Sequence, residues 1–224
     1  MSVHSRHAVY YMPPEGALAS FGAAWLGWDA QAGRDVPQPD LPGLDTLTDA
    51  PRKYGFHATL KPPFRLAEGE TVDALRDAVA ELAARTARAR ADGLVLSRLG
   101  RFLALTPEGD NSEVARVAAA CVQDLDRFRA PSSEAELERR RGAGLDARAE
   151  ELLRDWGYPW VLDRFRFHMT LTGKIAREDL GRVQAMVAEA LPPLPRPFML
   201  DSLCLCGERS DGRFELLHRY ALSG

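Results

Sequence analysis

Residues 56–60 read Phe-His-Ala-Thr-Leu, and residues 167–171 read Phe-His-Met-Thr-Leu. The copies lie 111 residues apart in a chain of 224 residues, close to half its length. Each copy alternates apolar and polar side chains, the period of a half-buried strand. After each copy comes one helical pattern and then two strand patterns. The two halves therefore read as variants of one βαββ lobe, an internal repeat.

The remaining patterns fit this plan. "HAVYYM" (7–12) reads as a first strand and "ALASFGAAWLG" (17–27) as a helix. Residues 29–51 contain Pro37, Pro39, Pro42 and Pro51, and read as a long surface connection with one turn of helix. "YGFHATLK" (54–61) is the second strand, stopped by Pro62 and Pro63. "TVDALRDAVAELAART" (71–86) is an amphipathic helix with Thr71 as its cap. A hairpin turns at Gly100, and a further helix spans 111–128. The polar, Arg-rich segment 129–160 reads as an insertion of two short helices without a role in the core. "FRFHMTLTGK" (165–174) is a strand and 177–191 a helix; two closing strands meet at Ser210-Asp211-Gly212. The predicted fold class is α+β, with two pseudo-symmetric lobes of mainly antiparallel sheet and flanking helices. Residues 1–224 form a single bilobal domain. Motif one lies in a lobe around 50–105, the helical insertion at 129–160, and motif two in a lobe around 161–220.

Strand alternation gives the motifs a chemical meaning. His57, Thr59 and Lys61 share one face, as do His168, Thr170 and Thr172. Side by side, the two strands present two imidazoles and two hydroxyls to one groove. One imidazole can take a proton from water while the other gives one to a leaving oxygen. Threonine hydroxyls donate to the non-bridging oxygens of a phosphate. No set of residues with metal-ligand spacing accompanies the motifs, so neither a metal nor a cofactor is expected. Lys61 extends the histidine face and is a candidate phosphate ligand. Tyr10 and Tyr54 are candidates to line the groove, whereas the four tryptophans read as packing residues and His218 as structural.

Charge and cysteine content narrow the classes. The 29 basic and 32 acidic residues leave a net charge of -3, without the basic excess that long nucleic acid or a membrane surface attracts. Three cysteines, Cys121, Cys204 and Cys206, have no framework spacing and read as reduced core thiols. "MSVHSRHAVYY" has no secretory apolar region, and no run reaches the roughly 20 apolar residues of a membrane span. A cytoplasmic location is expected.

"HATL" and "HMTL", within "PRKYGFHATLKPPFRL" and "WGYPWVLDRFRFHMTLTG", resemble the paired His-x-Thr/Ser-x-hydrophobic motifs of the 2H (two-histidine) phosphoesterase superfamily. With "FRAP" between them, they look like its bacterial subfamily associated with phosphonate-utilisation operons. The resemblance covers nearly the whole chain. It implies a metal-independent phosphoric diester hydrolase acting on cyclic phosphates, with His57 and His168 as the catalytic pair and Thr59 and Thr170 holding the phosphate. It further implies a small phosphorylated sugar or nucleotide as substrate, such as a ribose cyclic phosphate. The insertion departs from the minimal two-lobe plan; within it Arg129, Arg139 and Arg140 are candidates for a second phosphate. Two rival readings are an RNA-end enzyme acting on 2′,3′-cyclic phosphates or 2′-5′ bonds, and a non-catalytic sensor of a phosphorylated metabolite.

Overall fold

The structure is a computed structural model that describes residues 4–142 and 144–224. In chain order the elements are β1 (His7–Tyr11), α1 (Ala17–Leu26), β2 (Trp28–Asp29), β3 (Arg34–Asp35), α2 (Leu44–Arg52) and β4 (Ala58–Phe64). Then follow α3 (Val72–Arg85), β5 (Ala89–Ala91), β6 (Gly93–Leu99), β7 (Phe102–Glu108), α4 (Ser112–Asp124), α5 (Glu134–Arg141) and α6 (Ala147–Trp156). The chain ends with β8 (Met169–Thr170), α7 (Leu180–Ala190), β9 (Phe198–Leu200), β10 (Ser202–Glu208) and β11 (Phe214–Ala221).

Seven strands form one sheet in the order β11-β10-β1-β4-β8-β7-β6, and every pairing is antiparallel. The fold is therefore α+β with a mainly antiparallel sheet, as the patterns predict. The two motif strands, β4 and β8, are neighbours at the middle of the sheet. The β6–β7 hairpin that follows motif one pairs with β8, and the β10–β11 hairpin that follows motif two pairs with β1 on the β4 side. Sequence boundaries at 50–105 and 161–220 thus group each motif with a hairpin that the sheet assigns to the other motif.

Val9, Leu60, Leu75, Val79, Val117, Met169, Leu203 and Val187 belong to the larger core, between the sheet and its helices. On the opposite face a smaller cluster joins Tyr10, Met12, Trp28, Cys204, Cys206 and Phe214. All three cysteines are free and buried. Thr71 caps α3 as expected, its hydroxyl accepting from the Ala74 amide.

Four local expectations change. Residues 29–51 hold the β2–β3 pair and the nine-residue helix α2, which buries Leu44 and Thr48. Strand β4 does not stop at Pro62-Pro63 but runs through them to Phe64. The prolines are tolerated because β8 flanks β4 only at Ala58, and the β1 register shifts between Val9 and His7. The strand expected at 165–174 is reduced to Met169–Thr170. Beyond Thr170, the Leu171 and Thr172 amides both donate to Leu103 O, and the Thr172 hydroxyl accepts from Leu103 N, so a side chain replaces the next ladder carbonyl. The insertion also takes part in a core: Leu152 of α6 packs with Val122 of α4 and with Val161.

Candidate functional site

Ala58 of β4 lies opposite Met169 of β8. In an antiparallel pair, the residues on either side of that contact also face each other, crosswise. His57 therefore lies beside Thr170, and Thr59 beside His168. Two cavities record the same arrangement. One, of about 480 Å³, is lined by Thr59 and His168 with Tyr158, Trp160, Arg164 and Arg166. The other, of about 540 Å³, is lined by His57 and Thr170 with Tyr54, Arg101 and Lys174. Phe102 lines both.

Each strand begins one residue after its histidine, and each imidazole bonds the backbone two residues back. His57 Nδ1 donates to Gly55 O at 2.9 Å, and His168 Nδ1 donates to Arg166 O at 2.8 Å. The tautomer is thereby set in both rings, leaving Nε2 for the groove. For His57 the local turn depends on Gly55, whose φ of 71° is left-handed and whose added Cβ would lie 2.4 Å from that of Ala30. The Thr59 hydroxyl donates to His57 Nε2 at 3.1 Å.

His57 also rests on the ring of Tyr10, with centroids 3.9 Å apart. Burial, and secondarily the nearby His168, depress its pKa to about 4, against the bond to Gly55 that works to raise it. At neutral pH His57 is therefore an uncharged imidazole whose Nε2 can accept a proton.

The other sequence candidates divide. Tyr54 lines the His57 cavity, 6.0 Å from that ring between centroids. Tyr10 does not line either cavity; it is fully buried beneath His57, and among the described residues its hydroxyl has no hydrogen-bond partner. Lys61 is not on the histidine face. A register shift between Val9 and Tyr10 inserts an extra residue into β4, so Lys61 falls opposite Val9 and turns to the helix side. There it is 2% exposed, and its Nζ donates to Val122 O and Asp126 Oδ1 at 3.0 and 3.2 Å. Burial lowers its pKa, opposed by Asp126. Arg129 is held by Asp126 at 2.8 and 2.9 Å, away from both motif cavities. Arg140 lies over the ring of Tyr158 at 4.8 Å, in a side pocket.

Sequence reasoning missed Phe102, Arg101, Tyr158, Trp160, Arg164 and Arg166. Arg164 and Arg166 precede His168 at strict period two in "RFRFH", a signal that was present. Trp160, expected to pack, is 48% exposed at the cavity. Phe102 and Tyr158 arrive from a distant hairpin and from the insertion, and nothing in their local sequence announces it. Among the described residues no group of three or more His, Cys, Asp or Glu is placed to hold a metal ion, and no helix is long and apolar enough to cross a membrane.

Among solved structures, the chain is similar to Escherichia coli LigT complexed with phosphate, at TM-score 0.47 and 15% identity over 100% of both chains. It is also similar to TT0787 of Thermus thermophilus, at TM-score 0.43 and 18% identity over 98% of each chain. A ribose 1,5-bisphosphate phosphokinase PhnN of Janthinobacterium sp. (strain Marseille) is 40% identical over 219 residues, covering 93% of this chain and 48% of that protein. The PhnN of Laribacter hongkongensis (strain HLHK9) is 40% identical over 183 residues, covering 78% of this chain and 42% of that protein. The chain spans about half the length of these curated relatives. A family model described as a protein of unknown function, DUF1045, matches residues 59–215. That match takes in both threonines and the second histidine of the paired motifs, and the chain belongs to the DUF1045 family.

Proposed function

We propose that the protein is a metal-independent cyclic phosphodiesterase acting on a small cyclic phosphate ester by two-histidine acid–base catalysis. The crosswise meeting of the motifs at Ala58 and Met169 carries this reading. It sets each imidazole beside the hydroxyl of the other copy, around a space open to a phosphate. His57, neutral at pH 7, takes a proton from water through Nε2 as the water oxygen attacks phosphorus. The bond from phosphorus to one ring oxygen breaks, and His168, in its doubly protonated form, gives that oxygen its Nε2 proton and returns to the Nδ1–H tautomer. The Thr59 hydroxyl turns from His57 Nε2 to the phosphate, and Thr59 and Thr170 donate to the non-bridging oxygens, which bear the developing charge. Arg166 on one side, and Arg101 and Lys174 on the other, add positive charge around the phosphate.

A phosphorylated ribose cyclic phosphate of phosphonate metabolism is the substrate this reading favours. The 2H resemblance points to it, as does the name of the relatives, which concerns a ribose phosphate. A second reading, an RNA-end 2′,3′-cyclic phosphodiesterase, is favoured by the aromatic wall of Phe102, Tyr158, Trp160 and Phe165, which suits a stacked base.

Phosphorus NMR of a ribose cyclic phosphate and of a nucleoside 2′,3′-cyclic phosphate, with EDTA present, tests both. Turnover is expected in the wild type and loss of it in His57→Ala and His168→Ala. Activity that vanishes with EDTA and returns with a metal would overturn the mechanism, and preference for the nucleotide would select the second reading. Binding without turnover of either ester would favour a sensor.

A further inference from the structure

Beside the Thr59–His168 cavity lies a pocket of about 40 Å³ with an uneven charge balance. Five guanidinium groups line it, those of Arg6, Arg65, Arg129, Arg139 and Arg140, with Glu136 as the acidic residue among them. Three of the five are matched. Arg65 pairs with Glu136 at 2.8 Å, Arg129 with Asp126 at 2.8 Å, and Arg6 with Glu208 at 2.5 Å. Among the described residues no carboxylate pairs with Arg139 or Arg140. Arg140 stacks on Tyr158, and its Nε is buried without a hydrogen-bond partner. Burial first, and then the neighbouring Arg139 and Arg6, disfavour its charged form. A cation held this way, with a donor unused, is in surplus until an anion arrives.

Position relates the pocket to the site. Tyr158, under Arg140, also lines the Thr59–His168 cavity. Pro62 lines that cavity, and the next residue, Pro63, lines the pocket. Thr59 and Pro63 are four strand steps apart, roughly 13 Å at about 3.3 Å per residue. Arginine side chains reaching back from there meet a group carried one sugar unit or more from the reacting phosphorus. The small volume suits a single tetrahedral anion, and paired guanidinium forks match phosphate oxygens.

We propose that Arg139 and Arg140 form a second anion site that binds a distal phosphate of the substrate. This rests on the phosphodiesterase reading and narrows its substrates to cyclic phosphodiesters that carry another phosphate. Arg129, one of the three sequence candidates for this task, is instead held by Asp126, as Arg6 is by Glu208.

The test compares a ribose cyclic phosphate with and without a phosphate on its far carbon. Arg140→Gln and Arg139→Gln should raise KM for the doubly phosphorylated ester about 10- to 100-fold, the range for a lost hydrogen bond to a charged group. Its kcat, and both constants for the simple ester, should stay within about twofold. Arg140→Lys should fall between, because it keeps the charge and loses the fork. Thermal unfolding midpoints check that the variants fold. Equal effects on both esters, or none on the doubly phosphorylated one, would overturn the site. If the wild type turns over neither ester, the phosphodiesterase reading fails on its own. Calorimetry with inorganic phosphate on the His57→Ala/His168→Ala double variant then decides the pocket. Binding that Arg140→Gln abolishes would support it, and binding that Arg140→Gln leaves unchanged would refute it.

Discussion

His57 and His168 stand in the same five-residue motif and make the same Nδ1 bond to the carbonyl two residues back, yet their surroundings differ. His57 rests on the buried ring of Tyr10, next to the seven-residue strand β4, with its pKa depressed to about 4. His168 adjoins the two-residue strand β8 and has Phe102 at 5.9 Å between centroids, beside Arg164 and Arg166. A repeat of sequence thus sets the identity and aim of the groups, while their packing separates their roles. On the proposed mechanism the uncharged imidazole of His57 is the base, which leaves His168 as the acid.

The comparison breaks first at the histidines. His57→Ala and His168→Ala should each lower kcat by about 10²- to 10⁴-fold, and the double variant should be little worse than either, since both act in one step. Additive losses would mean independent roles. The wild-type pH–rate profile sharpens the contrast. The base limb should fall off near pH 4, not near the ordinary histidine value of 6.5, because a base with a depressed pKa protonates late. A limb at 6.5 would refute the assignment of His57.

Lys61 comes next. Lys61→Met should cost about 1–3 kcal/mol in denaturant unfolding, the range for a buried acceptor such as Val122 O left unpaired, since Asp126 keeps Arg129, and should leave kcat/KM of the folded fraction unchanged. A large rise in KM at unchanged stability would return Lys61 to the groove. Thr59→Val and Thr170→Val should each lower kcat/KM about 10- to 100-fold, the loss of one hydrogen bond to a charged oxygen, and by similar factors if the crosswise symmetry extends to the phosphate. Unequal losses would show which copy holds the phosphate.

A stability measurement against pH tests the same depression without a substrate. His57 and His7 are both held to a pKa of about 4, chiefly by burial, below the ordinary 6.5. The unfolded chain therefore binds more protons than the folded one between those values. Their contribution is full above about pH 6.5 and is lost as pH falls towards 4. The unfolding midpoint should drop across that window, and less in a His7→Gln variant.

The order of residues along the chain already contains the two motif strands, the α3 cap, both hairpins and the α+β class. Each depends on short-range periodicity or on a residue whose turn or cap preference is local. Alternation also placed Arg164 and Arg166 on the His168 face, a signal passed over beside the louder motif. Other features depend on partners distant in the chain and arise only on folding. A single extra residue in β4 opposite Val9 turned Lys61 from the groove to the helix side, and no pattern of period two can reveal a break that the neighbouring strand imposes. Carriage of Pro62-Pro63 within a strand likewise depended on how little of β8 lies alongside. Tyr10 became a support for His57 because β1 and β4 pair. Arg140 and Arg6, 134 positions apart by number, met at one pocket because the insertion folds back over the strand ends. Identity and spacing are written along the chain, but which groups share a dielectric, a face or a counter-charge is fixed only when the strands are registered and packed.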